Sequence, residues 1–599
     1  MPSSLPHSIL EQRLRRAVGE VLPSANLDTV QVRPCPDPKH GDYQCTALIG
    51  LAKQARLNPR AFAQEVVAAY NRLRDAGGDA SIEVGMIPEI AGPGFLNFRI
   101  DTQTSLLAVA LDAADRLFCE PAQPQRTVVV DFSSPNVAKP MHVGHIRSTT
   151  LGDCLNRAFR ALGHRVITDN HIGDWGTQFG KLLVGWRTGL DRAALERDPI
   201  AELERLYRTE NAAGEADPSR LEMARQELVK LQSGDAENLA VWHEMIRLSQ
   251  TQFDAIYGRL GVSFDHTLGE SFYNPQLPEV VADLLARGIA RESEGAVAVF
   301  SDGSLPPKED PFLVNRDGEW VPEPALVRKS DGGFNYMTTD LATLDYRIRT
   351  WAPDEIIYVV DDRQAPHFRK LFLTFARWKP EAAARTRLRH IGFGKILGDD
   401  GRPFRTRSGD TIRLAELLDE AVERSQRLVD EKRPELPETT RRQIAQTVGI
   451  GAVKYQDLLP NRQSDYVFSW DKMLALTGNT SPYLQYQYTR ASKVAREGGP
   501  VDRTRLSTAV PTEETEIVLL KYLLNYGLTL ESVTAECRPN YLCNYLYELA
   551  GHYSRFYEAC PVLRSEEPVR SLRLALCDFT ARVLQDGLGI LGIGAPEVM

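Results

Sequence analysis

The sequence predicts an α/β chain: a doubly wound parallel sheet in the middle, a small α/β module before it and an all-helical region after it. Three observations carry that reading. The β-branched run TVVVD at 127–131 passes through a polar loop into a helical pattern opening at His142, the strand–loop–helix order of a nucleotide-binding unit. Strand and helix patterns then alternate to about residue 412, as βαβ units do. Beyond Ile412 the apolar residues keep helical spacing almost to the end.

A chain of 599 residues is too long for one core and implies about three or four domains. Hydrophobic residues make up 43% and charged residues 25%, which excludes fibrous and disordered classes. No run approaches the ~18 apolar residues that span a bilayer. The N-terminus, MPSSLPHSILEQRLRR, lacks the apolar stretch and cleavage site of a secretion signal, so a cytoplasmic location is expected. Cysteines 35, 45, 119, 154, 537, 543, 560 and 577 form no CxxC pair. They predict buried thiols, with neither structural zinc nor a disulfide framework. A net charge of −9 argues against indiscriminate nucleic-acid binding. Segment 361–409 runs the other way, with twelve basic residues against five acidic ones, and is either a solvated face or a local surface for phosphates.

In chain order, helical patterns cover 9–21, 46–53 and 60–74, with a loop-rich HGDYQ at 40–44 and a short strand over 95–100. A Pro/Gln-rich linker at 120–125 precedes the first central strand, and 165–169 is the second. The glycine-rich NHIGDWGTQFG at 170–180 lets the backbone pass close to a ligand or to the first helix. Residues 191 to about 260 are helical and charged, with a turn at 214–218, and predict spacing and surface. Strand segments at 296–300, 312–315 and 325–328 follow. The sheet resumes with strand 356–360, helix 367–376 and strand 390–397, leading to the loop GDDGRPFRTRSGD at 398–410. Residues 444–453 are apolar enough for core.

The helix that opens at His142 directs unpaired N–H groups and a positive dipole end toward phosphate. His142 and His145, three apart, can face one ligand, and Gly144 between them lets a base or ribose approach. A capped helix with satisfied histidines is the plain alternative. Lys139 can reach the same phosphates. Asp131 ends the first strand, where α/β sheets bind ligands. Tyr336 and Asp340, four apart, can line one face of the same pocket, although an acid near a helix start also suits the dipole. His367 reads as part of a turn before a helix. Tyr541, Asn544, Tyr545, Tyr547, Tyr553, Arg555 and Tyr557 could stack on and read unpaired bases. Their spacing is equally that of a helical core stripe, the expected fate of most.

VVVDFSSPNVAKPMHVGH at 128–145, with IRSTTLGD after it, resembles the HIGH signature of class I aminoacyl-tRNA synthetases, and among them the arginyl-tRNA synthetases. NHIGDWGTQFG resembles that family almost letter for letter. HGDYQ and GPGFLNF resemble its N-terminal additional domain, and TGNTSPYLQYQYTR (477–490) resembles the start of its helical anticodon-binding domain. The ending GLGILGIGAPEVM is similar to the family's terminus, so a complete chain is expected.

The resemblance implies a class I Rossmann-like catalytic domain over 120–412 with an insertion at about 185–345. It also implies an N-terminal tRNA-contacting domain (1–115), a helical junction (413–470) and a helical anticodon-binding domain (471–599). The implied activity is ATP-dependent activation of L-arginine and its transfer to tRNA(Arg). Mg²⁺ would arrive with ATP, the enzyme would be a monomer, and bound tRNA would be needed before activation. His142, Gly144, His145, Lys139, Lys395, Thr406 and Ser408 are then expected at ATP. The KMSKS loop of the class is replaced here by FRTRSG, so Arg405 and Arg407 are expected to share the pyrophosphate charge with Lys139. Tyr336 and Asp340 match the family's side-chain readers; Asp131 stands where many members have Glu. Ser134, Asn136 and Gln364 match positions that hold the amino acid's α-amino and carboxylate groups, and His142 is expected beside them. A catalytically silent relative that binds RNA, or a small nucleotidyltransferase, are the competing readings. Against them stand the retained His142, His145 and Asp340 and the long helical C-terminal region.

Overall fold

A computed structural model describes residues 5–76, 86–103, 105–398, 400–404 and 411–599. The chain divides into two compact units, Gln123–Leu474 and Met1–Ala122 with Ala475–Met599.

Residues Gln123–Leu474 are built on a four-stranded parallel sheet in the order Arg387–His390, Glu355–Tyr358, Thr127–Asp131, Arg165–Asp169. The first strand in the chain is therefore flanked by the second on one side and the third on the other. That reversal opens a crevice at the strands' C-terminal ends. In register across those ends stand His390, Tyr358, Asp131 and Asp169. Val128, Val129, Val130, Ile356 and Ile357 are buried, as expected of strands covered on both faces. Helix Val143–Ala161 makes the crossover between the first two strands.

Between the second and third strands lies the insertion. Helices Arg192–Arg197, Pro199–Ala216, Pro218–Gln232 and Ala236–Leu260 each start at an aspartate (Asp191, Asp198, Asp217, Asp235) whose carboxylate accepts backbone N–H bonds. These caps explain why so charged a stretch is helical. A three-stranded antiparallel sheet follows, Ala325–Arg328, Ala296–Val299 and Ala290–Ser293, with a hairpin of Leu313–Arg316 and Glu319–Pro322. Val297, Val299 and Val327 share one core with Val129, Ile356 and helix Tyr336–Trp351.

The strand expected over 390–397 is broken in two. Arg387–His390 ends the main sheet, and Ile396–Leu397 pairs instead with Tyr466–Val467, a short strand inside the region expected as a helical junction. The break lies at Gly392 and Gly394. A Cβ on Gly392 would meet Asp362 Oδ1 at 2.2 Å, and one on Gly394 would meet the Ser464 carbonyl at 2.6 Å, so the chain leaves the sheet through a passage too narrow for side chains.

The other unit joins a four-stranded antiparallel sheet (Arg33–Pro34, Tyr43–Cys45, Phe95–Phe98, Glu89–Ala91) to the C-terminal helices. HGDYQ, read as loop, becomes strand at Tyr43. Asp42 accepts the Ile100 N–H at 2.8 Å and pairs with Lys521 at 2.7 Å, while Tyr43 Oη donates to Asn525 Oδ1 at 3.1 Å. Asp42→Ala should therefore lower the stability of this unit by roughly 1–3 kcal/mol, and Lys521→Ala by less, because only the former strands a backbone N–H. Urea unfolding of the two variants checks the order.

Candidate active site

His142 is the N-cap of helix Val143–Ala161, with extended backbone. Its Nδ1 accepts the Gly144 N–H at 3.1 Å, and its own N–H donates to His145 Nδ1 at 3.0 Å. Both histidines thus spend Nδ1 as an acceptor, which places the proton of each neutral ring on Nε2. The rings lie 4.0 Å apart. Burial depresses both pKa values, with the Lys139 ammonium assisting at His142, and His145 falls to about 3. The site therefore presents two neutral Nε2–H donors rather than two cations. The capped-helix alternative is half right: the cap is real, and it consumes only one nitrogen of each ring. A Cβ on Gly144 would lie 2.8 Å from His142 Cε1, so glycine here makes room for the histidine's own ring.

The loop before the cap is strained. Ser133, Ser134 and Ala138 take φ of 75°, 48° and 62°, each costing of order 1–3 kcal/mol for an L-residue. Hydrogen bonds hold it. The Ser133 N–H donates to Ser148 Oγ, Ser133 Oγ and Tyr257 Oη share a bond of 2.7 Å, the Ser134 N–H donates to Asn170 Oδ1, and the Ala138 N–H to Ser249 Oγ. The Val137 N–H donates to the Gly173 carbonyl, and the Gly173 N–H donates to the Pro135 carbonyl. Asn136 Oδ1 sits 2.3 Å from where a Cβ on residue 173 would be, so Gly173 admits this side chain. Lys139 Nζ lies 5.2 Å from the centre of the Tyr207 ring and Lys181 Nζ 5.9 Å from it, a cation–π arrangement.

Asp131, expected among the arginine-binding residues, has protein partners of its own. Arg347, fully buried, donates to Asp131 Oδ2 at 2.6 Å and to Asp169 Oδ2 at 2.8 Å, and Ser134 Oγ donates to Asp131 Oδ1 at 3.2 Å. The carboxylate at the strand end is engaged by the protein itself.

Tyr336 and Asp340 do share one end of helix Tyr336–Trp351, where Asn335 caps the first N–H. Tyr336 is exposed. Asp340 Oδ2 is 2.6 Å from His367 Nε2, and the His367 ring meets Tyr336 edge-on at 4.7 Å. Asp340 is thus engaged with His367 rather than with the helix N-terminus. Gln364, exposed, stands at the N-cap position of the helix Ala365–Trp378 that carries His367, without a side-chain cap bond. Nearby, burial pushes the Glu270 carboxyl up to about 7, with Asp340 and Asp174 adding to the effect and His171 opposing it. Sequence reasoning passed over Glu270 and took His367 for a turn residue. His367 carried a usable signal, a titratable side chain just past a strand end; Glu270 follows a helical stretch with no such marker. Lys395 is exposed, and its N–H donates to Asp465 Oδ1. Arg405, Thr406, Arg407 and Ser408 lie outside the described residues.

Comparison with known proteins places this geometry. Residues 108–470 match the family model described as tRNA synthetases class I (R), catalytic domain; 484–599 match the DALR anticodon binding domain, and 8–100 the arginyl tRNA synthetase N terminal domain. The arginine–tRNA ligase of Synechococcus elongatus is 44% identical over 94% of both chains. The chain belongs to the arginyl-tRNA synthetase family. The ligase of Chromobacterium violaceum is 43% identical over 99% of this chain and all of its own. The solved arginyl-tRNA synthetase of Plasmodium falciparum superposes with a TM-score of 0.79 at 26% identity, covering 99% of each chain. That of Thermus thermophilus, at 24% identity, shares the fold with a TM-score of 0.80 over 99% of this chain and all of that one.

In this arginyl-tRNA synthetase family member core is the fate of fewer of the tyrosines of helix Asn540–Ala559 than expected: Tyr545 and Tyr553 are buried, Tyr541 is half-buried, and Tyr547 and Tyr557 are exposed. At the signature, the depressed His145 pKa means that the unfolded chain binds a proton between pH 6.5 and about 3 that the folded chain refuses. Stability is therefore lost as pH falls through that window, and His145→Asn should flatten the slope there. Ring ¹⁵N shifts at pH 5 should show His145 neutral with its proton on Nε2; an imidazolium signature contradicts the assignment.

Proposed function

We propose that the chain joins L-arginine to ATP, forming arginyl-adenylate and pyrophosphate, and transfers the arginyl group to tRNA(Arg) with release of AMP. The observation that carries this is the paired Nε2–H donors of His142 and His145 at the crevice, in a chain of this family. Attack of the arginine carboxylate on the α-phosphate needs no protein nucleophile. It needs two anions held together and the departing pyrophosphate neutralised. Neutral imidazoles donate to the α-phosphate oxygens as charge shifts onto them. Lys139, with Arg405 and Arg407, supplies the positive charge, and Gly144, Lys395, Thr406 and Ser408 line the nucleotide.

Ser134, Asn136 and Gln364 hold the α-amino and carboxylate ends, and Asp340 with Tyr336 reads the guanidinium. Asp131 acts through its hold on Arg347 and Ser134 rather than by touching the side chain. Mg²⁺ enters with ATP as its counter-ion. We place the protein in the cytoplasm as a monomer whose activation step awaits bound tRNA.

The direct test is arginine-dependent ATP–pyrophosphate exchange with and without tRNA(Arg). Exchange with arginine alone among the amino acids, and only with tRNA, is the expected result; tRNA binding with no exchange in either tube overturns the enzymatic reading. His145→Ala should lower kcat by ~10²-fold or more. Asp340→Asn should raise the arginine KM ~10- to 100-fold, the value of a charge-assisted bond, with the ATP KM unchanged.

A further inference from the structure

We infer that His367 is a positioning residue for substrate selection: its ring holds the Asp340 carboxylate by one oxygen and turns the other toward the guanidinium of the bound amino acid. The inference rests on the assignment of Asp340 above and adds a residue to it. His367 Nε2 and Asp340 Oδ2 are 2.6 Å apart, with both side chains largely buried, at 11% and 23% exposed. Asp340 Oδ1 has no partner among the described residues, so only one of the two carboxylate oxygens is engaged. The ring itself is fixed from two sides, edge-on by Tyr336 at 4.7 Å and by Phe368 at 5.5 Å. A free aspartate beside a cavity samples rotamers and pays for ordering when the ligand binds; one already clamped has that cost removed.

The placement also couples the two ends of the substrate. His367 stands three residues after Gln364 on the first turn of helix Ala365–Trp378, so both side chains leave one helix end on the same side. Gln364 is assigned to the amino acid's backbone groups and His367 to the reader of its side chain. One helix start thereby sets the distance between the two contacts, which is the length of the side chain the pocket admits.

The test is tRNA-supported ATP–pyrophosphate exchange for His367→Ala, His367→Gln and Asp340→Asn, with tRNA(Arg) affinity measured in parallel. The expected result is an arginine KM raised about tenfold by His367→Ala, the worth of one charge-assisted bond. The kcat, ATP KM and tRNA affinity should stay within about twofold, and glutamine, whose amide reaches the same oxygen, should restore most of the loss. An unchanged arginine KM in His367→Ala beside a raised one in Asp340→Asn overturns the role of His367 alone. An unchanged KM in Asp340→Asn overturns the assignment of Asp340 beneath it. A joint fall in kcat, ATP binding and tRNA affinity that glutamine does not rescue makes His367 a packing residue and likewise overturns the inference.

Discussion

A single guanidinium, Arg347, lies between the carboxylates that end two adjacent strands, and much of the site takes its position from that contact. Asp131 and Asp169 face each other in register, so without a cation two buried carboxylates would stand side by side about 5 Å apart. Arg347 reaches both, and their charges hold its pKa well above the usual value although burial works against it. Leaving such a pair uncompensated costs about 3–5 kcal/mol. Arg347 lies two turns beyond Asp340 on helix Tyr336–Trp351. The ion pair therefore fixes that helix's rotation over the strand ends, and with it where Tyr336 and Asp340 point.

A second constraint comes from the loop at 133–138. Three left-handed residues in six positions persist only where the surroundings over-determine them. Here the restraint comes from the first turns of the signature helix and from Tyr257 and Ser249, both on helix Ala236–Leu260. A stretch that reads in sequence as spacer thus supplies two of the anchors that shape the path to Lys139.

What sequence reasoning could see follows from the range of the interactions. The first strand, the signature helix and the crevice were legible because local pattern specifies them: a β-branched run, a cap and a strand end. The parallel sheet was legible from alternation. Asp131's partner was not, because Arg347 is 216 residues away and looks like any helical arginine. The split of the last strand was hidden for a related reason: Gly392 and Gly394 matter through Asp362 and Ser464, which no local window contains. Asp340 was singled out and its contact with His367 was not, because one bears helical spacing to a neighbour while the other reaches across 27 residues.

The tautomer imposed by the HVGH cap divides labour between near and far. An uncharged imidazole has a dipole whose field dies away within a few ångströms, so His142 and His145 do nothing to draw a polyanion out of solution. On the proposed function a long-range pull would fall to Lys139, since Arg363, Lys370, Arg377, Lys379, Arg385 and Arg389 of the basic segment are paired with carboxylates, and it would weaken as salt shortens the Debye length. On the same reading, the contact that these preset dipoles make with the phosphate would be insulated from the ionic strength of the medium. Arrival and stabilisation would then be carried by different atoms, so that salt slows the first while leaving the second untouched.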